Sequence, residues 1–454
     1  MEKTIAAIAT GNAAGGIGVI RISGEKAIQI ADKVFKAQDG SSLLSLKGYR
    51  AKFGNVVCKG EQLDNAVALV FRAPKSYTGE DVVELSVHGG IFIVERTLEA
   101  VLAAGAVPAQ AGEFTKRAFL NGKMDLTQAE SVADLISAQG EAAAKASFSA
   151  LQGSLSNKIN KVLNDLMDCS ASMAAWVDYP DEEIDDLEDE RLEQTLTDAG
   201  NALKDLINNY ENGQAMVQGI DTAIVGRPNA GKSTLMNLLV GRDKSIVTKI
   251  EGTTRDIVEE SVRLGTLVLH LSDTAGLRKS EDVVEAIGIE RAYEKMKSAT
   301  LVLPVFDSSR RLNNEDLKLI EICRDKKAVA IINKTDLKQK ADIDMITSAF
   351  EKCVFISAKN SSSTKDIEIA VKELLGVSDF DASAPLLANQ RQKQCCQRAM
   401  DCLFDAVSCL VMNVTRDAIN VLVDDAINEL LSLTGKKATV EVVNNIFSKF
   451  CVGK

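Results

Sequence analysis

Apolar residues recur with two different periods along this 454-residue chain, and the period switches at three places. Up to about residue 120, short β-branched runs alternate with helical stretches. Gly18-Val19-Ile20-Arg21-Ile22, Ala66-Val67-Ala68-Leu69-Val70-Phe71 and Val82-Val83-Glu84-Leu85-Ser86-Val87 read as strands, so residues 1–120 are expected to form a small α/β domain. From 121 to 215 the period becomes helical. Ile159, Leu163, Leu166, Met173 and Val177 keep one helix face, and Leu192, Leu196, Ala199, Leu203, Leu206 and Tyr210 keep another. Between 216 and 377 apolar strands alternate with helices, as in a mostly parallel sheet. After a linker from Ser378 to Pro385 the helical period resumes over 378–454, with Ile419, Leu422, Ala426, Leu430, Val443, Ile446 and Phe450 on apolar faces. Neither helical flank completes a bundle alone, so the central α/β segment reads as an insertion into an all-helical domain. The expected fold class is therefore multidomain, α/β together with all-α.

The central segment carries the chemistry. Gly226-Arg227-Pro228-Asn229-Ala230-Gly231-Lys232-Ser233-Thr234 lies between the strand-like Thr222-Ala223-Ile224-Val225 and a helical stretch, the context a phosphate-binding loop requires. Backbone N–H groups and the helix dipole meet the phosphates, Lys232 adds a point charge, and the Ser233 hydroxyl is placed to ligate Mg²⁺. The stretch Thr248, Lys249, Ile250, Glu251, Gly252, Thr253, Thr254 follows at switch-loop spacing, with Thr254 completing the Mg²⁺ shell. Asp273-Thr274-Ala275-Gly276 comes after an apolar strand, which lands its carboxylate near the metal. Asn333-Lys334-Thr335-Asp336 supplies in Asp336 an acceptor for the guanine N1–H and 2-amino group. ATP would leave that acceptor unpaired, and unpaired polar groups discriminate strongly. Ser357-Ala358-Lys359 offers backbone donors to the guanine O6. These elements in this order predict a Ras-like P-loop domain that binds and hydrolyses GTP. The position that commonly holds a water-orienting Gln is Leu277. Glu285 and Glu290 are the nearby carboxylates, and Arg255 and Arg278 the local arginines.

Composition narrows the rest. No window approaches the roughly 18 continuous apolar residues of a membrane span, and the N-terminus lacks signal or transit character, so a cytoplasmic protein without stable membrane insertion is expected. Nine cysteines show no paired metal spacing; Cys395, Cys396, Cys402 and Cys409 recur at helical spacing with Ala399, Leu403, Ala406 and Leu410 and read as small core residues. A formal charge of −11 argues that any RNA meets a local basic patch. Candidates are Lys116, Arg117 and Lys123; Arg391, Lys393 and Arg398; and Lys436, Lys437, Lys449 and Lys454. His270 is expected to be a hydrogen-bonded strand residue and His88 to support a glycine turn.

Motifs outside the GTPase segment extend the picture: Arg21-Ile22-Ser23-Gly24, Ser76-Tyr77-Thr78-Gly79-Glu80-Asp81, Glu84 with His88-Gly89-Gly90, Gly112 to Lys123, Asp178-Tyr179-Pro180-Asp181-Glu182-Glu183 and Phe450-Cys451-Val452-Gly453-Lys454. With the GTPase motifs they span the chain and resemble the MnmE (TrmE) family of tRNA-modification GTPases. The resemblance implies an N-terminal tetrahydrofolate-binding and dimerisation domain. Arg21, Glu84, Lys123 and Lys454 match the family's contacts to a folate such as 5,10-methylene- or 5-formyl-tetrahydrofolate. It implies a K⁺ ion held by Asn229, Thr248, Ile250 and Thr253, with Glu285 as the catalytic carboxylate. Cys451 is implied in the modification step, as nucleophile or transient metal ligand. A homodimer would join an FAD-dependent MnmG-like partner in a heterotetramer and act on carbon 5 of the wobble uridine of tRNA. Two other classes compete: a GTP-gated ribosome or RNA assembly factor, which has no need of Arg21, Glu84, Lys123 or Cys451, and a stand-alone folate aminomethyltransferase, which has no need of the GTPase.

Overall fold

The computed structural model describes residues 3–11, 13–178, 189–242, 260–271, 296, 299–360, 364–378 and 380–453. The chain divides into two compact units, one of Met1–Ala133, Ser156–Gly200 and Arg398–Lys454, the other of Asp134–Leu155 and Asn201–Gln397.

The first unit is built on strands β1 (Ile5–Ile8), β2 (Ile17–Ser23), β3 (Phe35–Ala37), β4 (Arg50–Cys58), β5 (Glu61–Phe71), β6 (Val82–His88) and β7 (Val107–Pro108), in the sheet order β3-β4-β5-β6-β2-β1-β7. Neighbours are antiparallel except β1 with β7. Side chains alternate across a strand, so a strand with one buried face sorts its residues by parity. Ile20 and Ile22 of β2, Val83, Leu85 and Val87 of β6 and Ala68 and Val70 of β5 enter one core. That core is closed by the helices Ala27–Val34 and Ile91–Ala103. The intervening residues fall on the opposite face, where the register sets Arg21 beside Glu84 and lines up Val19, Ser86, Val67 and Phe53.

The helical part of this unit follows the predicted faces closely. Ile159, Leu163, Leu166 and Met173 are buried on the helix Ser154–Asp178, and Leu192, Leu196 and Ala199 on Asp189–Asn208. Two positions differ on the C-terminal helices Arg416–Thr434 and Val440–Ser448. Val423 and Phe447 are buried where Leu422 and Ile446 were expected to be, and those two are only half-buried. Adjacent apolar residues both satisfy a helical period, and the neighbour packed against the helix decides between them. Ala399, Leu403 and Ala406 are buried as expected, as are Cys395 and Cys396 just before them in the second unit, whereas Cys402, Cys409 and Leu410 are half-buried.

The chain's end is stitched to the N-terminal domain. Val452 bridges Ala111, and the Gly112 N–H donates to the Cys451 carbonyl at 3.4 Å. Phe447 packs its ring 6.3 Å from Phe119 and 5.2 Å from Phe450. Gly112 makes the approach possible: at φ +65 a Cβ there would lie 2.6 Å from the Phe447 carbonyl.

The second unit holds β8 (Ile220–Val225), β9 (Glu260–Leu264), β10 (Leu267–Leu271), β11 (Leu301–Asp307), β12 (Val329–Asn333) and β13 (Lys352–Phe355), in the order β13-β12-β11-β8-β10-β9. Pairing is parallel except for β9 with β10. Helices cover both faces: Lys232–Arg242 and Lys365–Leu375 pack over Ile224, Val305 and Ile331, while Asn314–Cys323 and Ile343–Ala349 pack over Val225, Phe306 and Ile332. Burial on both faces is why these strands read as unbroken apolar runs. His270 in β10 is satisfied at both ring nitrogens, by the Gln218 carbonyl at 2.7 Å and the Ser261 hydroxyl at 2.9 Å. Among the described residues no helix is long and apolar enough to cross a membrane.

Phe447 is 2% exposed, and Phe447→Ala is expected to cost about 3–5 kcal/mol. The first unit's transition in calorimetry should move to lower temperature, with faster hydrogen exchange at residues 449–453. An unmoved transition would mean that the terminal helix contributes nothing to that core.

Candidate functional site

In open parallel sheets, ligands bind beyond the carboxyl ends of the strands, and the loops leaving β8, β11, β12 and β13 hold the sequence motifs together. After β8 the chain makes a glycine-rich turn and enters the helix Lys232–Arg242. Asn229 and Gly231 adopt positive φ, +61 and +103, which bends the backbone around the helix N-terminus. At Gly231 only a missing Cβ avoids collision with the Asn333 amide. Ala230 is fully buried, while Asn229, Ser233 and Thr234 are exposed at the mouth. The Lys232 ammonium donates to the Gly226 carbonyl at 2.6 Å and the Arg227 carbonyl at 3.0 Å. Burial desolvates it and lowers its pKa from the usual lysine range.

Asn333 ties three motifs into one body. Its Nδ2 donates to the Ala230 carbonyl at 3.0 Å, and its Oδ1 accepts from the N–H groups of Lys334 at 2.8 Å and Ala358 at 3.1 Å. Lys334, at φ +65, reaches back to donate to the Asn229 carbonyl at 2.8 Å. The Ser357 hydroxyl donates to Asp336 Oδ1 at 2.6 Å, and Thr335 N–H donates to the Ile356 carbonyl. Asp336 and Lys359 are exposed, Ser357 and Ala358 buried. The carboxylate thus stands at the rim, oriented by a neighbouring hydroxyl.

One participant was not singled out from the sequence. Asp307, 2% exposed at the end of β11, pairs with the Lys334 ammonium at 2.7 Å and accepts from the Ser309 hydroxyl. Burial would raise its pKa, but the hydrogen bonds from Lys334 and Ser309 outweigh it and hold the carboxyl below its ordinary range. In the sequence it is only the single acid that ends the apolar strand Leu301–Asp307, which is no motif. Arg227 likewise pairs with Asp316, 1% exposed, which caps the helix Asn314–Cys323.

Thr248, Lys249, Ile250, Glu251, Gly252, Thr253 and Thr254, Asp273, Thr274, Ala275 and Gly276, together with Glu285 and Lys454, lie outside the described residues. Of the residues expected for Mg²⁺ and K⁺, Ser233 and Asn229 are described. The Ser233 hydroxyl in the first turn beside Lys232 suits a hard divalent ion, and the exposed Asn229 amide suits an oxygen-preferring monovalent one.

A second constellation lies on the open face of the N-terminal sheet. Arg21 donates to Glu84 Oε1 at 2.8 Å and, at 3.5 Å, to the carbonyl of Gly453, two residues beyond Cys451. Its guanidinium stands 5.5 Å from the Tyr77 ring and 5.6 Å from that of Phe114. The Tyr77 hydroxyl is paired with Thr115 at 2.9 Å, and burial raises its pKa. Cys451 is exposed. Lys123 is anchored on the Pro74 carbonyl at 3.0 Å. His88 pairs with Asp64 at 2.7 Å.

A Ras-like P-loop domain with a guanine-type base motif, joined to an α/β domain and long helices, defines a multidomain GTP hydrolase. Comparison with known proteins narrows the class. Sequence models described as "MnmE helical domain" and "GTP-binding protein TrmE N-terminus" match residues 126–451 and 4–123. The tRNA modification GTPases MnmE of Alkaliphilus oremlandii (strain OhILAs) and Alkaliphilus metalliredigens (strain QYMF) are 40% and 38% identical, over 100% of this chain and 100% of each relative. The G domain of the T. maritima FeoB iron transporter is 26% identical, covers 34% of this chain and 98% of its own, and has a TM-score of 0.26, too low to add weight. This chain belongs to the MnmE family of tRNA modification GTPases.

Asp307→Ala would strip the half-buried Lys334 ammonium of its charged partner, an interaction class worth about 1.5–3 kcal/mol. Guanine-nucleotide affinity should fall roughly ten- to hundredfold in a fluorescent-nucleotide titration. Unchanged affinity would separate the Asp307–Lys334 pair from nucleotide binding.

Proposed function

We propose that this chain is a K⁺-stimulated GTPase that works as a homodimer with an FAD-dependent MnmG-like partner, in a heterotetramer, to add an aminomethyl or carboxymethylaminomethyl group to carbon 5 of the wobble uridine of tRNA. A tetrahydrofolate derivative supplies the carbon. The observation that carries this reading beyond GTP hydrolysis is the meeting of Arg21, Glu84 and the Cys451–Gly453 backbone on one sheet face. A guanidinium and a carboxylate on one face, with an exposed thiol two residues from the carbonyl that Arg21 contacts, suit a ligand with both amino and carboxylate ends, presented to a reacting base. Glu84 accepts from the pterin's amino and N–H groups, and Arg21, Lys123 and Lys454 meet the anionic tail. An assembly factor or a lone aminomethyltransferase would each leave one of the two sites without a task.

The open face also favours a second copy. Ile17, Phe53 and Val67 are 67%, 52% and 40% exposed on it, and exposed apolar stripes of this kind mark association surfaces. We assign residues 1–120 to folate binding and dimerisation, 216–377 to the GTPase, and 121–215 with 378–454 to the helical domain.

In hydrolysis, the N–H groups of 229–234 and Lys232 hold the phosphates, and Asp336 with the 357–359 loop selects guanine. Thr248 to Thr254 and Asp273 to Gly276 complete the phosphate side. Ser233 and Thr254 would hold Mg²⁺, while Asn229, Thr248, Ile250 and Thr253 would hold K⁺; bound there, the two ions would supply positive charge to offset the negative charge that builds up on the phosphate oxygens. Glu285 orients the attacking water in place of the Gln that Leu277 replaces.

GTP hydrolysis measured in potassium and in sodium buffers of equal ionic strength should be much faster in potassium, and Glu285→Ala should abolish most of that rate. Equal rates in both salts would reject the monovalent-ion assignment. Total tRNA from a deletion strain, analysed by nucleoside mass spectrometry, should lack the wobble modification; Cys451→Ser should restore GTP hydrolysis without restoring the nucleoside. Unchanged nucleosides on deletion would reject the modification reading.

A further inference from the structure

The basic residues named from the sequence fare very differently in the structure. Arg117 is buried and neutralised by Glu80 and Glu113 at 3.1 and 2.8 Å, and Arg398 is paired with Glu429 at 2.7 Å. Lys393 is spent over the Tyr210 ring, 4.8 Å from its centroid. Lys116, Lys436 and Lys437 differ from all of these. Each ammonium donates to the side-chain oxygen of an asparagine: Lys116 to Asn444 at 2.7 Å, Lys436 to Asn160 at 3.0 Å and Lys437 to Asn428 at 2.6 Å. Among the described residues none of the three is ion-paired with a carboxylate. An amide fixes the position of an ammonium and leaves its charge whole.

Lys116 and Lys436 stand at the walls of one groove of about 600 Å³, whose apolar lining includes Phe119, Leu120 and Val440. Leu120 and Val440 are 56% and 76% exposed. Asp125 also lines the groove, its carboxylate fixed by Thr127 Oγ1 at 2.7 Å and Gln128 N–H at 2.9 Å, so one negative charge stands against the two ammonium groups of Lys116 and Lys436. The groove runs along the helix Val440–Ser448, whose end positions Cys451. Fixed ammonium groups in excess of carboxylate, over an apolar floor, match a flexible polyanion that carries flat bases.

We propose that this groove is the seat of the tRNA anticodon arm, with backbone phosphates on Lys116 and Lys436 at its walls and on Lys437, the next residue along the chain, and an unstacked base against Leu120 and Val440. The inference rests on the reading of Cys451 as acting on wobble uridine, and it supplies what that reading lacks on a chain of charge −11: a place for the RNA.

The test titrates the full-length protein with a fluorescein-labelled anticodon stem-loop bearing an unmodified wobble uridine, by anisotropy at several salt concentrations. Against wild type, the triple variant Lys116→Ala, Lys436→Ala, Lys437→Ala should bind at least tenfold more weakly. Its slope of log Kd against log salt should be smaller by about two to three, at ~0.7–0.9 per lost phosphate contact. The corresponding triple Lys→Arg variant should bind like wild type, which separates charge from a folding defect. Equal affinity and slope in wild type and the Ala variant would overturn the groove while leaving the modification reading intact. No binding by wild type would overturn it as well, and nucleoside analysis of the deletion strain then judges the modification reading separately. Intact RNA binding with lost binding to the FAD-dependent partner would assign the groove to a protein and likewise overturn the proposal.

Discussion

The nucleotide-binding end of the second unit depends on one buried side chain, the amide of Asn333. Its donor holds the phosphate loop at Ala230, and its acceptor holds the backbone of Lys334 and of Ala358. At 2% exposure it has no water to fall back on, and a buried polar group left unpaired costs about 1–3 kcal/mol. The three motifs are therefore satisfied together or not at all. Lys334 adds a second tie, from the Asn229 carbonyl to Asp307, which draws the end of β11 into the same network. A GTPase needs its phosphate and base contacts to act as one binding surface, and this network joins them through protein alone.

The N-terminal domain is organised by parity rather than by a hub. Because Ile20 and Ile22 must enter the core, Arg21 must leave it, and the β2–β6 register carries Glu84 to the same side. The ion pair follows from the burial of its neighbours. The chain's end completes this face, anchored by Phe447 and Phe450 and admitted by Gly112. Residues more than four hundred positions apart, Arg21 and Gly453, come within 3.5 Å. The same unit carries both a polar cluster and an apolar stripe on one open face.

Much of the fold could be read from periodicity, since the burial of an amphipathic helix or strand follows from local spacing. Ile159, Leu163, Leu196 and Leu203 are buried where the pattern put them. The pattern failed where two adjacent apolar residues competed, at Leu422 with Val423 and at Ile446 with Phe447, and at Cys402, Cys409 and Leu410, which lie at the flank of the buried stripe. The phosphate and base motifs were legible too, because each is a contiguous run whose backbone and side chains act together. Asp307 was not singled out: a lone acid at a strand end has no motif, and its role exists only once Lys334 arrives beside it.

The sequence by itself determined the fold class, the GTPase motifs and their order, and the family to which the chain belongs, because these reside in short-range patterns of residue type. Tertiary structure decided which distant groups meet. It paired Arg21 with Glu84 and the terminal backbone, neutralised Arg117 and Arg398, and left Lys116, Lys436 and Lys437 held by neutral amides. The physical reason is that a charge is compensated or exposed according to what packs against it, and that information is not local in the chain.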